Sequence, residues 1–280
     1  MKTNGFNHKK RFGQNFISDA NYLKSLVAAA GITGDDNVLE IGAGAGGLTR
    51  ALADAAKYVV AYEIDRDLEP VLTAALAGLQ NVRLIFADAL KADATEILSY
   101  FSQITNEDKR RTPHYKLVAN LPYYITTPLI FKFLDAPGCA ETSVMIQKEV
   151  AERLTAREGT EDYGVLTVAV AVSADVKILK RVDRKLFYPV PDVDSAFVSI
   201  KRNENKFQIS DRALLSRLIK CAFAMRRKTL ANNLTAGFSM TRAEAEELLK
   251  SAKLPPAVRG EALPPEKFVE LAALIGFLQN

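Results

Sequence analysis

Two cysteines and two histidines are all the thiol and imidazole chemistry that the 280 residues contain. Cys139 and Cys221 lie far apart and form no C-x-x-C pair, which excludes a disulfide framework and predicts reduced, structural thiols. His8 and His114 offer no H-x-x-x-H or Cys/His cluster for zinc and argue against a Ser-His-Asp hydrolase. The chemistry is therefore expected to need no metal and no histidine. Long apolar runs are missing too: the longest, 165–174, is broken by Thr167 and Ser173 and is far short of the ~20 residues that cross a bilayer. The first 14 residues lack the apolar core of a secretory signal, so a cytoplasmic protein with no membrane partner is expected. Internal repeats and low-complexity segments are also absent.

Charge is present but unevenly placed. The net charge is +4, yet residues 1–14 carry Lys2, Lys9, Lys10 and Arg11 without an acid, and residues 201–280 carry 14 basic against 8 acidic residues. That leaves the middle of the chain acidic, with 19 basic and 25 acidic residues. An acidic body between basic flanks suits a polyanion held by the flanks, as a phosphate backbone is; solvated surface lysines give the same totals.

The chain is organised around Val38-Leu39-Glu40-Ile41-Gly42-Ala43-Gly44-Ala45-Gly46-Gly47. Its short, branched, apolar start reads as a strand buried on both faces of a parallel sheet, and the glycines begin where that strand should end. Residues 48–56 then read as a helix. Glycine at such a turn permits positive φ and lets a ligand lie against the main chain near the helix's amide end, so a nucleotide-like ligand belongs there. Gly42, Gly44 and Gly47 also fit G-x-G-x-x-G, and Glu63, at the end of the apolar run 58–62, is placed to take a ribose hydroxyl pair. Taken alone, the loop fits a nicotinamide enzyme and a methyltransferase equally well.

From residue 37 strands and helices alternate, with strands expected at 38–41, 58–62, 82–86 and 115–119 and helices at 48–56, 68–79 and 94–101, as right-handed βαβ units making a parallel sheet. Before them, Ser18 reads as the N-cap of a helix closed by Gly31. Residues 102–114 look like a surface loop. A helix at 127–134, a strand at 143–146 and a helix at 148–157 follow, while 165–172 fits either state. Residues 176–182 and 196–201 suit an antiparallel hairpin at the sheet edge. Beyond about residue 203 only helices are expected, at 211–223, 227–234, 241–251 and 265–278. Two domains result, 1–203 with its basic arm and a small, basic, all-helical 204–280.

Asn120-Leu121-Pro122-Tyr123 follows the fourth parallel strand, at the carboxyl edge where ligands bind in α/β proteins. An exocyclic amine on adenine is a poor nucleophile, because its lone pair is delocalised into the ring and its proton is too weakly acidic for a side chain to remove first. The Asn120 side-chain oxygen and the Leu121 carbonyl, accepting hydrogen bonds from that amine, would draw its nitrogen toward sp³ geometry and aim the lone pair at an electrophile. Pro122 stiffens the turn, and Tyr123 offers a ring on which an extruded base can stack.

Together, Glu40-Ile41-Gly42-x-Gly44, Glu63, Asp88-Ala89 and Asn120-Leu121-Pro122-Tyr123 resemble the class I, Rossmann-like, S-adenosylmethionine-dependent adenine-N6 methyltransferases. Arg11-Phe12-Gly13-Gln14-Asn15-Phe16, Gln147-Lys148-Glu149-Val150, Tyr163-Gly164, Phe187 to Pro191, Val193-Asp194-Ser195-Ala196 and Arg226-Arg227-Lys228-Thr229-Leu230 narrow the resemblance to the bacterial small-subunit ribosomal RNA adenine dimethyltransferases whose loss gives kasugamycin resistance. The similarity runs from about residue 10 to 278. It implies a mostly parallel seven-stranded sheet with an antiparallel edge hairpin, plus the small helical domain. It also implies a cofactor shell of Asn15 and Ile17 from the arm, Gly42 at the loop, Glu63 on the ribose, Asp88 on the adenine amine and Asn120 near the methionine end. By its Phe-x-Pro-x-Pro context, Phe187 matches the aromatic that closes on the target base opposite Tyr123. Ala43 and Tyr124 depart from the proline and asparagine of many relatives; neither removes a side chain with an implied role.

The resemblance implies methylation of N6 on two adjacent adenines near the 3′ end of 16S ribosomal RNA in the small subunit, with S-adenosyl-L-methionine as donor; a monomer is expected. Lys9, Lys10, Arg11, Arg226, Arg227 and Lys228 are the expected phosphate contacts; cations where Arg226 to Lys228 are expected to start a helix oppose the helix dipole, which points to another purpose. Two rival readings share the same motifs: a large-subunit RNA adenine methyltransferase of the macrolide-resistance type, and a small-subunit assembly factor whose binding matters more than its methylation.

Overall fold

The computed structural model describes residues 15–105 and 113–279. Lys9, Lys10, Arg11 and the Lys109-Arg110-Arg111 run lie outside them. The described chain forms strands β1 (Phe16–Ile17), β2 (Asn37–Ile41), β3 (Tyr58–Glu63), β4 (Val82–Phe86), β5 (Tyr115–Asn120), β6 (Cys139–Gln147), β7 (Ala174–Val182), β8 (Phe187–Tyr188) and β9 (Ser195–Arg202). Seven of them make one sheet in the order β4-β3-β2-β5-β6-β9-β7. From β4 to β6 the pairs are parallel, whereas β9 runs antiparallel to β6, so the expected edge pair exists with β9 on its inner side.

The parallel centre forms because its strands are apolar on both faces: all five residues of β2 are buried, and β3 and β5 beside it are nearly so. The connecting helices are α1 (Ala20–Ala29), α2 (Gly47–Ala53), α3 (Glu69–Ala75), α4 (Ala94–Thr105), α5 (Thr126–Leu134) and α6 (Lys148–Leu154). Because parallel strands end together, β2, β3, β4 and β5 deliver Gly42, Glu63, Asp88 and Asn120 to one edge of the sheet.

Local chemistry moved several boundaries. The cap of α1 is Asp19 and not Ser18, since the Asp19 Oδ1 accepts from the N–H groups of Asn21 and Tyr22 at 2.9 and 3.1 Å. Residues Arg66–Leu68 form a 3₁₀ turn before α3, which leaves that helix shorter than 68–79. Strand β6 is longer than 143–146 because it pairs along its length with β5 on one side and β9 on the other. The ambiguous run 165–172 is helical, as α7 (Val165–Ala171).

By its contacts the chain divides into two compact units, one of residues 1–151 and 177–202 and the other of 152–176 and 203–280. The segment 152–176 thus joins the helices, where a boundary near 203 had assigned it to the sheet. Tyr163, Val168 and Val172 from that segment pack with Leu218, Leu234 and Phe268 in the core of the second unit, and the Tyr163 hydroxyl donates to the Leu263 carbonyl at 2.6 Å. The other helices of this unit are α8 (Arg212–Ala224), α9 (Leu230–Phe238), α10 (Arg242–Ser251) and α11 (Pro265–Gln279). Among the described residues no helix is long and apolar enough to cross a membrane.

Candidate active site

At the carboxyl ends of β2 to β5 lies a cavity of about 480 Å³, within the range of small-molecule and cofactor sites. Asn15, Ile17, Gly42, Gly44, Glu63, Asp88, Asn120, Leu121 and Pro122 all line it, so the sequence motifs converge on one place.

The glycine turn is held by the neighbouring strand β3. The N–H groups of Gly42 and Ala43 both donate to the Tyr62 carbonyl, at 2.8 and 3.1 Å, and fold the loop over the end of β3. Gly42 has φ +81°, and a Cβ there would meet the Asn120 carbonyl oxygen at an ordinary 3.6 Å, so backbone conformation is what requires glycine there. Gly44 adds a steric reason: at φ +57°, a Cβ would lie 2.7 Å from Cε1 of Phe16.

Glu63 ends β3 and is 2 % exposed. Its Oε2 accepts from the Gly44 N–H, and its Oε1 accepts from the N–H groups of Ile64 and Asp65, each at 2.8 Å. Such a clamp fixes the carboxylate in the wall while leaving lone pairs for a diol. Asp88 sits two residues past β4 and makes an Asx turn, Oδ1 accepting from the Leu90 N–H at 3.0 Å. Its loop is held from α5 by Lys132, whose ammonium donates to the carbonyls of Ala89, Leu90 and Ala92 at 3.0, 2.7 and 2.6 Å.

Behind the wall, Glu40 is fully buried, and among the described residues neither of its oxygens has a hydrogen-bond partner. Burial pushes its carboxyl up to about 8; the nearby Thr49 hydroxyl opposes this and the Glu63 charge adds to it. Burial thus favours the neutral form of Glu40 at neutral pH.

Asn120 is the last residue of β5, and its Nδ2 donates to the Asn15 carbonyl at 3.0 Å. A carbonyl can only accept, so this contact decides which way the amide points and leaves Oδ1 as the available acceptor. Tyr123 begins a 3₁₀ turn outside the cavity wall, its hydroxyl 2.9 Å from the Ser195 Oγ. Burial raises the Tyr123 pKa, Ser195 lowering it and Asp194 raising it further. Tyr124, 64 % exposed, lines the cavity instead.

Phe187 is not open to a ligand here: it is 3 % exposed and packed in the core of the sheet unit. What joins it to the site is backbone. The pair β1 and β8 is antiparallel, with Phe16 opposite Tyr188 and Ile17 opposite Phe187, so the arm that walls the cavity is hydrogen-bonded to the Phe187 segment.

The second unit corrects one expectation. Arg226, Arg227 and Lys228 do not open a helix; α9 starts at Leu230 and is capped by Thr229, whose hydroxyl accepts from the Asn232 N–H at 3.4 Å. The three cations therefore do not oppose that helix's dipole from within its first turn. Arg226 is also engaged, donating to the carbonyls of Glu161 and Tyr163 at 2.7 and 3.4 Å and lying 3.6 Å from the Glu261 carboxylate. Arg227 and Lys228 are exposed.

Phe16, Lys132 and Ser195 were not marked as site residues by sequence reasoning. Phe16 and Ser195 stand inside motifs that had been recognised, whereas nothing in the helix containing Lys132 signals that its ammonium reaches a loop 40 residues earlier.

Residues 5–275 match the family described as "Ribosomal RNA adenine dimethylase". The chain is 40 % identical over 273 residues to the ribosomal RNA small subunit methyltransferase A of Clostridioides difficile (strain 630), covering 96 % of this chain and 91 % of that protein. A solved dimethyladenosine transferase from Plasmodium falciparum is 27 % identical with a TM-score of 0.74, covering 94 % of this chain and 98 % of that one. The 23S rRNA methyltransferase ErmE is 28 % identical with a TM-score of 0.69, covering 92 % and 98 %. With its mostly parallel seven-stranded sheet, its helical second unit and a match over nearly its whole length, the chain belongs to the ribosomal RNA adenine dimethylase family.

Proposed function

We propose that this protein transfers methyl groups from S-adenosyl-L-methionine to the N6 atoms of two adjacent adenines near the 3′ end of 16S ribosomal RNA, giving N6,N6-dimethyladenosines during small-subunit biogenesis in the cytoplasm. The observation that carries this reading is the meeting of Gly42, Glu63, Asp88 and Asn120 on one cavity at the carboxyl ends of adjacent parallel strands.

The residues fit the donor. Glu63, fixed by three N–H groups, takes the ribose hydroxyls; Asp88 takes the adenine amine; Asn15, Ile17, Gly42 and Gly44 shape the wall. When bound, S-adenosylmethionine supplies a methyl group on a sulfonium, an electrophile that needs no further activation. The protein's task is then to prepare the nucleophile. The Asn120 Oδ1 and the Leu121 carbonyl accept from the target N6, Pro122 holds the turn, and the lone pair is aimed into the cavity for in-line displacement. The N6 proton leaves after the new bond has made the nitrogen acidic, so no side-chain base is required. Tyr123 stacks on the base, and Phe187 supplies the other face on leaving its buried position.

The sheet unit is the catalytic part, with the basic arm of Lys9, Lys10 and Arg11; Arg227 and Lys228 on the helical unit add phosphate contacts, and Arg226 braces the segment that carries them. The protein works as a monomer on the small subunit. Identity of 40 % over 96 % of the chain to a small-subunit methyltransferase favours the small subunit. The test offers labelled S-adenosylmethionine with small subunits lacking these modifications, beside naked large-subunit RNA, followed by nucleoside analysis. Label in N6,N6-dimethyladenosine of the small subunit alone is expected; label only in the large-subunit RNA would move the assignment to the resistance methyltransferases. Growth and subunit maturation that survive Asn120→Ala yet fail on deletion would put binding ahead of methylation.

A further inference from the structure

We propose that Ser195 is a positioning residue for the target adenine, acting through the Tyr123 hydroxyl to fix the long axis, and so the place, of the ring on which the base stacks. The proposal rests on the reading of Tyr123 as the stacking ring and deepens it.

A tyrosine ring held only at Cβ can swing about χ1 and χ2. When its para oxygen is tethered as well, both ends of the ring's long axis are fixed and only rotation about that axis remains. In this protein the tether is the Ser195 Oγ, 2.9 Å from Oη of Tyr123. Ser195 opens β9 opposite Gln147 of β6 and is 1 % exposed. It is followed by the apolar, buried Ala196, Phe197 and Val198, so a hydroxyl at this position would be left without a partner if Tyr123 moved away.

The tether is anchored where the second aromatic segment is closed. Asp194 accepts from the Lys148 N–H through its carbonyl at 3.0 Å, and from the Arg184 N–H through its Oδ1 at 3.1 Å, drawing together the two ends of the loop that contains Phe187. Neighbouring residues 194 and 195 thus hold one ring directly and the other ring's loop by its base. Neither is on the cavity wall, so cofactor contacts do not account for this arrangement.

The full-length protein is tested as wild type, Ser195→Ala, Tyr123→Phe, the double variant and Ser195→Thr, on small subunits lacking the adenine methylations. Each single variant is expected to lower kcat/KM for subunits about tenfold, the scale of one lost hydrogen bond. The double variant is expected to lose no more than either single one, since both remove the same bond. KM for S-adenosylmethionine stays at the wild-type value, and Ser195→Thr, which keeps the hydroxyl, retains activity. Losses that multiply in the double variant, a rise in the S-adenosylmethionine KM in step with the loss, or full activity in Tyr123→Phe would each overturn the proposal. If Ser195→Ala does not fold, Tyr123→Phe against Ser195→Thr still decides. A wild-type protein that makes no dimethyladenosine in small subunits refutes the functional reading itself, a separate result from additivity among active variants.

Discussion

The two halves of the proposed site, one for the cofactor and one for the base, are built by different means. On the cofactor side, Glu63 is clamped by three backbone N–H groups, the glycine turn hangs on the Tyr62 carbonyl, and the Asp88 loop is fixed by an Asx turn and an ammonium on three carbonyls. On the base side, single side-chain bonds do the holding: Asn120 to the Asn15 carbonyl and Tyr123 to Ser195, while Phe187 stays buried. Backbone clamps suit a ligand that is the same in every turnover. Single tethers suit a base that must enter, be methylated twice and leave, with its amine larger each time.

That contrast is sharpened most by Asn120→Ala. In the proposed mechanism Asn120 polarises the amine, so its removal is expected to lower kcat by about 10²–10³-fold, the cost of losing one preorganised transition-state contact, while S-adenosylmethionine affinity changes little. Single-turnover methyl transfer with the cofactor saturating reads it directly.

Glu63→Ala strikes the other half and should show the opposite split. Three N–H groups lose their acceptor, worth about 1–3 kcal/mol in stability, and S-adenosylmethionine binding weakens by roughly 10–100-fold in calorimetric titration, with kcat largely recovered at saturation.

Glu40 links the wall to pH. Its carboxyl ionises near 4.5 in an unfolded chain but only at about 8 in the fold, so above 4.5 the unfolded state has released a proton that the folded state keeps. That difference lowers stability as pH rises through this window and levels off above 8. Glu40→Gln removes it: the variant should gain on the wild type by up to roughly 1.4 kcal/mol per pH unit between those limits. Denaturant midpoints at pH 5 and pH 8 check this, and a gap that shrinks with pH contradicts it.

Gly44→Ala is the mildest change. A Cβ at φ +57° costs about 1 kcal/mol and must displace the Phe16 ring, so a several-fold higher KM for S-adenosylmethionine is expected with kcat near normal.

Much of the cofactor side was legible because it is written in consecutive residues. The buried strand, the alternating glycines and the acid that ends β3 are local patterns, and parallel pairing forces them to one edge. The base side was legible only in Asn120 to Tyr123. Whether Phe187 is open or buried depends on its packing in the sheet unit's core and on the β1 and β8 pair, which joins residues about 170 positions apart. The grip of Lys132 on the Asp88 loop is likewise tertiary, and so is the placing of 152–176 with the helices, where the chain leaves the sheet unit and returns to it. The difference at Arg226 to Lys228 is local: Thr229, a better cap than any of the three cations before it, decides where α9 begins.

The most direct single measurement compares methyl transfer by Asn120→Ala and Glu63→Ala on unmodified small subunits while labelled S-adenosylmethionine is raised to saturation. Recovery of Glu63→Ala toward the wild-type rate, with Asn120→Ala still at or below about one per cent, is the result expected if one half holds the donor and the other prepares the amine. Recovery of both variants together, or of neither, contradicts that division.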